Sequence, residues 1–153
     1  LKPKLIKGPD RFIEIVSKMQ QKHDNLKVLL TGPRRNFIIN ELKQRDIKFT
    51  YFKRANQNKL NELYNILNLY IVSSRIEGAP QAILEAAASK TPIISTNVGI
   101  ADEILNKKSI YQMSDFERAE PDVEYAHEKV KKYFVPEWYK QFFLLFEKLI
   151  NEN

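Results

Sequence analysis

The sequence predicts an α/β fold, a Rossmann-like parallel sheet with helices on both faces. Short apolar runs rich in β-branched residues alternate with amphipathic helical periods along nearly the whole chain. The connections are a few residues long, as in sheets whose parallel strands are joined through helices. The 153 residues, 43% of them hydrophobic, suffice for one domain with its own core. We therefore read residues 1–153 as a single domain, and 136–153 as its C-terminal helix.

Apolar residues at positions 12, 13, 16 and 19 give a helical period over 10–19. Residues 26–31 read as a strand that Gly32-Pro33 breaks. A helix follows over 34–45, with Phe37, Ile38 and Leu42 inward, then a strand over 47–52. Leu60, Leu63, Tyr64 and Leu67 define the inner face of the next helix. Leu69-Tyr70-Ile71-Val72-Ser73 reads as a buried strand, followed by a helix containing Glu85 and a short strand over 92–95. A helical turn at 102–105, a strand near 110–113 and helices near 123–133 and 137–150 complete the chain. Trp138, Tyr139, Phe142, Phe143 and Phe146 make the last helix strongly aromatic, and core packing is the expected use of that face.

The most informative segment is Ser74-Arg75-Ile76-Glu77-Gly78-Ala79-Pro80-Gln81-Ala82-Ile83-Leu84-Glu85-Ala86. Pro80 suits the first position of a helix, where its missing N–H costs nothing. Glu77 then lies on the loop after a strand, and Glu85 about a turn and a half into the helix. The open amides of such a helix start bind an anion such as phosphate, and flanking carboxylates accept hydrogen bonds from hydroxyls. A site that takes both suits a nucleotide-sugar. The plainer alternative is a solvated stripe, because Gln81, Glu85 and Ser89 share one helix face. Against it, Glu85 is the only charged residue from 78 to 89, amid alanines and aliphatics. An unpaired buried carboxylate costs several kcal/mol, on the order of 3–5, so it needs a partner or a purpose.

Composition excludes several classes. The chain has no cysteine, so disulfides and thiolate metal sites are out. His23 and His127 belong to no metal-ligand spacing, and no carboxylates cluster as a magnesium site requires. No segment approaches a membrane-spanning run, and the start carries no signal-peptide pattern. The net charge of +6 is uneven: residues 1–54 hold 14 Lys/Arg against 5 Asp/Glu. A basic third attracts a diphosphate, an anionic lipid surface or nucleic acid, or is a solvated lysine-rich face. No basic run is interleaved with aromatics, and there is no zinc-finger spacing or aromatic RNA-binding signature, so no nucleic-acid partner is expected.

The Glu77–Glu85 segment resembles the donor-binding half of the retaining GT-B glycosyltransferases of group 1, glycosyltransferase family four, whose hallmark is E-x7-E. That family reads P-S-x-x-E-G-x-P-x-x-x-x-E-A, then G-x-P-V-V, then G-G-x-x-E. Ser74, Glu77-Gly78, Pro80, Glu85-Ala86, Thr91-Pro92-Ile93-Ile94, Gly99 and Glu103 follow that order, and Lys7-Gly8 matches a further position. The resemblance implies one half of a GT-B fold, with the missing N-terminal domain completing the cleft and an acceptor, a saccharide or lipid-linked saccharide, binding there. It implies that Lys7 and Glu77 are catalytic, Lys7 on the diphosphate and Glu77 at the sugar. Glu85 would hold the ribose. Gly78, Ala79, Pro80, Ser74, Arg75 and Gly99 would line the donor, and the base would lie near Phe52 and Lys53. No cofactor and no metal is expected, and the setting would be cytoplasmic, at the cytoplasmic face of a membrane through the full-length protein. Part of the final helix would face the missing domain, and the fragment alone would be inactive. A non-catalytic nucleotide- or partner-binding domain is the alternative. Lys90 and Ile100 stand where the family has glycine, and the side chain of Ile100 is expected to narrow the site. A basic residue about six positions before Lys7 is also usual, with Lys2 or Lys4 as substitutes here.

Overall fold

The computed structural model describes residues 4–151, leaving out the side chains at 135–138, 149 and 151. Lys2 and the side chain of Trp138 therefore lie outside the described residues. Among the described residues, seven α-helices and five strands run in the expected order: α1 (Pro9–Gln20), β1 (Lys27–Thr31), α2 (Asn36–Gln44), β2 (Lys48–Phe52), α3 (Gln57–Ile66), β3 (Tyr70–Val72), α4 (Gln81–Ala88), β4 (Ile93–Thr96), α5 (Ala101–Ile104), β5 (Ile110–Tyr111), α6 (Val123–Val130) and α7 (Val135–Asn151).

All strand pairing is parallel, in two hydrogen-bonded pieces of order β1-β2 and β3-β4-β5. Ile71 of β3 packs against the core formed by Ile13, Val28, Leu30 and Leu42, so the second piece abuts the first through side chains. From β1 the chain winds first to β2 and then back across to β3. Doubly wound sheets hold their ligands beyond the carboxyl ends of their strands, and the carboxyl end of β3 leads into the Glu77 loop. A second core, of Ile83, Ala86, Ala87, Ile93, Val98, Ala101 and Ile104, joins α4, β4, α5 and α6.

Helix ends follow local chemistry. Asn56 and Asp122 accept from the amides of Lys59 and Tyr125 as N-caps of α3 and α6. After α4, Lys90 adopts a left-handed φ of 54°, and the Lys90 and Thr91 amides donate to the Ala87 and Ala86 carbonyls. This is the turn that normally takes glycine, and it explains the family's preference at that position.

Two expectations are corrected here. The aromatic face of α7 does not enter the core: Tyr139, Phe143 and Phe146 are about 60% exposed, and Phe142, Leu144, Leu145 and Ile150 are exposed as well. Ile100 does not narrow the site either. Its side chain is 9% exposed and packs with Val98, Ala101 and Ile104.

Candidate functional site

The N-terminal segment is stitched to the end of β3. A 3₁₀ turn over Leu5–Lys7 ends at Gly8, whose φ is 61°. A Cβ there would lie 1.8 Å from the Ser73 carbonyl oxygen, so only glycine lets the two backbones meet. The Ser73 hydroxyl donates to the Gly8 carbonyl (2.9 Å) and the Arg75 amide to the Ile6 carbonyl (2.8 Å).

This stitching delivers Lys7 to Glu77. The Lys7 ammonium donates to Glu77 Oε2 at 2.7 Å, and the Ser74 hydroxyl to Oε1 at 2.7 Å. Lys7 is largely exposed, while the Glu77 side chain retains 17% exposure. Ser74 is itself buried, and Thr96 donates to its carbonyl at 2.7 Å, which ties the end of β3 to β4.

Pro80 is the N-cap of α4, in extended conformation, one position earlier than the sequence suggests. Of the first-turn amides, that of Ile83 donates to the Pro80 carbonyl at 3.0 Å, while those of Gln81 and Ala82 have no preceding carbonyl within the helix to bind. Gly78 and Ala79 are exposed beside them. Gly99, at φ 52°, backs the loop: a Cβ on it would lie 1.9 Å from the Gly78 carbonyl oxygen and 2.8 Å from Pro80 Cδ. Gly78 itself has no such constraint, and a Cβ added to it would meet nothing within 4 Å.

Glu85 lies further along α4, half-buried, and its Oε2 accepts from the Tyr64 phenol at 2.9 Å. Tyr64 is a core residue whose carbonyl accepts from Thr91 Oγ1, and its ring meets that of Tyr70 edge-on at 5.6 Å. Burial pushes the Tyr64 phenol well above its ordinary range, and Tyr70 and Glu85 push it further. Burial also raises Tyr70, with the Arg35 guanidinium pulling the other way.

Arg75 turns aside. Its guanidinium grips Asp10 with two bonds, at 2.8 and 2.6 Å, and donates to the Leu5 carbonyl, so it fastens the loop to α1. That bond holds the Asp10 carboxyl below the usual range. At the end of β2, Phe52 is half-buried beneath the Lys59 ammonium, 5.6 Å from its ring centre, and Lys53 is exposed. Lys4 is exposed too. Lys7, Ser74 and Glu77 thus form one connected cluster, with the Gly78–Pro80 loop and Gly99 beside it and Glu85 further along the same helix. Sequence reasoning placed Tyr64 only in the core and missed its bond to Glu85. Its signal, a tyrosine on an otherwise aliphatic face, marks a hydroxyl that needs a buried partner.

A groove of about 370 Å³ lies elsewhere, between α1 and α2, lined by Ile13, Ser17 and Phe37 among others. Lys7, Ser74, Glu77 and Glu85 are not among its lining residues, so it has no part in this cluster. Among the described residues, no three His, Asp or Glu side chains gather as a metal site. None of the described helices is long and apolar enough to cross a membrane.

An α/β domain of parallel strands with helices between them belongs to the doubly wound class of architecture. The particular family follows from its sequence. The profile described as "Glycosyl transferases group 1" matches residues 2–134, and the chain belongs to that family of glycosyltransferases. No curated protein matches the chain. Among solved structures it is similar to a chain of the GtfA/B complex, with a TM-score of 0.74 and 15% identity over 97% of this chain and 34% of that one. The catalytic domain of cholesterol-α-glucosyltransferase from Helicobacter pylori gives a TM-score of 0.63 at 16% identity, covering 97% of this chain and 92% of that one. TarM gives 0.66 at 18% identity, covering 92% and 32%. The fold is therefore that of a GT-B glycosyltransferase domain, and the chain spans about a third of the GtfA/B and TarM chains it matches.

Proposed function

We propose that this domain is the donor-binding half of a retaining glycosyltransferase, of hexosyltransferase type, that takes a nucleoside-diphosphate sugar. The observation that carries the reading is the placement of Lys7, Glu77 and Glu85 around one helix start: an ammonium for a diphosphate, and two carboxylates for hydroxyls. In the donor complex the diphosphate lies on the first-turn amides of α4, with Lys7 as its counter-charge. The Lys7–Glu77 pair is open to solvent on its lysine side and worth only about 0–1 kcal/mol. It therefore yields readily to a diphosphate, which carries more charge than one carboxylate. Gly78 supports the same reading, since neither its backbone nor its packing requires glycine, and the open space before it suits a phosphate.

Glu77, freed from Lys7 but still held by Ser74, accepts hydroxyls of the sugar, and Glu85 accepts those of the ribose. As the glycosidic bond breaks, negative charge grows on the leaving diphosphate, where Lys7 and the α4 amides are already oriented. No metal is required for this distribution of charge. A saccharide or lipid-linked saccharide acceptor approaches from the other domain of the full-length enzyme. One TarM structure from S. aureus, a complex with fondaparinux, α-GlcNAc-glycerol and UDP, contains both kinds of ligand in that protein. This chain alone transfers no sugar, because its acceptor side belongs to another domain.

Calorimetry with uridine, guanosine and adenosine diphosphates and their sugar esters, in the presence of chelator, tests the proposal. Weak binding of at least one is expected. Silence from all of them at millimolar concentration would sink the donor site, and acceptor glycosylation by the 153-residue chain would overturn the half-enzyme reading.

A further inference from the structure

The strap that carries Lys7 is held with little help from packing. Leu5–Lys7 is a single 3₁₀ turn in which no residue is buried, and Leu5 and Ile6 are 54% and 46% exposed. No side chain caps its start. Apolar burial therefore contributes little to its order. The bonds that tie it down are polar. The Lys7 and Gly8 amides donate to the Lys4 and Leu5 carbonyls, and the Arg75 amide donates to the Ile6 carbonyl. The Arg75 guanidinium donates to the Leu5 carbonyl at 2.6 Å. A segment ordered by a few exposed bonds opens locally at low free energy.

Arg75 joins that strap to something rigid. Its Nη1 reaches both the Leu5 carbonyl and Asp10 Oδ1, and its Nη2 reaches Asp10 Oδ2 at 2.6 Å. Asp10 lies in the first turn of α1, the helix that follows the strap directly. One planar guanidinium thus bridges the strap and α1, a geometry that the point charge of lysine does not reproduce. The bond holds the Asp10 carboxyl below its usual range, so the pair is ionised near neutrality. Lys7 stands between two fixed points, the Leu5–Ile6 backbone held by Arg75 and Gly8 locked against Ser73.

We infer that Arg75 is a positioning residue for Lys7: its clamp on Leu5 and Asp10 holds the strap so that the ammonium is in place before a diphosphate arrives. The inference rests on the donor-site reading above. It gives Arg75 an indirect role in place of the direct donor contact expected from the motif. Lysine carries its charge on a flexible stem, so the reach of the ammonium is set by where its backbone is held. A backbone fixed in advance spares the ordering cost that binding otherwise includes. Loosening the strap weakens the contact made by Lys7 and leaves contacts that do not pass through Lys7 as they were.

The test is a double-mutant cycle on the whole chain, titrated with UDP, GDP and ADP. Arg75→Gln should lower the affinity of the best-bound nucleotide by about three- to tenfold, the cost of ordering one long side chain. In a Lys7→Gln background the same change should cost less than about twofold, because the contact it supports is gone. Arg75→Lys should not restore affinity, since it keeps the charge and loses the two-bond grip on Asp10. Hydrogen exchange reads the strap without nucleotide. In Arg75→Gln the Lys7 and Gly8 amides should exchange about tenfold faster or more, while the Ser89 and Lys90 amides at the end of α4 stay within about threefold. If Arg75→Gln does not fold, Asp10→Asn removes the far anchor and should act in the same direction. If Lys7→Gln binds too weakly to titrate, Arg75→Lys and the exchange rates decide. Equal losses in both backgrounds, wild-type affinity in Arg75→Lys, or unchanged exchange at Lys7 and Gly8 would overturn the positioning role and leave the donor site standing. Failure of every nucleotide to bind the wild type would remove the donor site itself, and the inference with it.

Discussion

Gly99 backs the loop on which the proposed donor site depends, and replacing it by alanine isolates that dependence. The new Cβ would lie 1.9 Å from the Gly78 carbonyl oxygen, whereas real Cβ contacts essentially never fall under 3.0 Å. One side must retreat by about 1.1 Å, and the bulk of β4 and α5 behind Gly99 leaves the exposed Gly78–Pro80 loop to move. The left-handed φ of 52° adds strain of about 1–2 kcal/mol for a residue with a side chain. Overpacking brings the total to roughly 2–4 kcal/mol, or a fall in melting temperature of about 5–15 °C at this chain length. Misplacement of the α4 amides by about 1 Å should weaken donor binding further, by up to a hundredfold. Gly78→Ala is the matched control. Its Cβ meets nothing within 4 Å, so stability should change by less than about 0.5 kcal/mol while donor affinity falls. Thermal melting and donor titration of the two variants decide the matter. A Gly99→Ala protein that melts and binds like wild type would refute the proposed support of the loop.

Glu85→Gln should leave stability within about 1 kcal/mol, since an amide oxygen still accepts from Tyr64, but should cost donor affinity about tenfold to a hundredfold by titration. Unchanged affinity in the folded variant removes the ribose role. Lys90→Gly should raise stability by roughly 0.5–1 kcal/mol: relief of left-handed strain exceeds the entropy that glycine adds to the unfolded chain. The exposed Lys90–Glu124 pair lost with it contributes little, and denaturant midpoints provide the readout. Arg75 depresses the Asp10 carboxyl below its ordinary 3.8, so their link stabilises the fold above that pH and is lost as pH falls through the lowered value. Wild type should therefore melt above Arg75→Gln near neutrality and converge with it well below pH 3.8, and parallel melting curves across that range would contradict the assignment.

The element order was legible because each segment's local pattern agrees with its place in the fold. Leu60, Leu63 and Tyr64 face inward on α3 at the helical period, and 69–73 could only be a buried strand. The motif located the helix start as well, within one residue at Pro80. What escaped the sequence was the direction of side chains whose partners lie far along the chain. Ile100 was expected to intrude on the site because it replaces a glycine, but its position after Gly99 turns it into the core with Ile104. Arg75 sits in the motif between Ser74 and Glu77, yet its partner Asp10 is 65 positions away. The bond from Tyr64 to Glu85 likewise spans 21 positions and joins two helices, and no local period records it.

The last helix shows where composition misleads. An aromatic stripe on a helix is ordinarily core, because burying apolar surface stabilises by about 25 cal/mol per Å². In α7 the stripe is real, but Tyr139, Phe143 and Phe146 remain mostly exposed while α6 closes the core with Ala126 and Val130. Among the described residues, the core is built without the side chains of α7. The sequence pattern states that a face is meant to be covered, but not by what, and the covering surface need not belong to the same 153 residues. The same logic governs the ledge between Glu77 and Glu85. The pairing of Lys7 with Glu77, the fixing of Glu85 by Tyr64 and the open space before Gly78 are half of a complementary surface. In both places the chain carries features that its own folding does not use. Surplus order of this kind, rather than the motif letters alone, is what supports the proposed donor site.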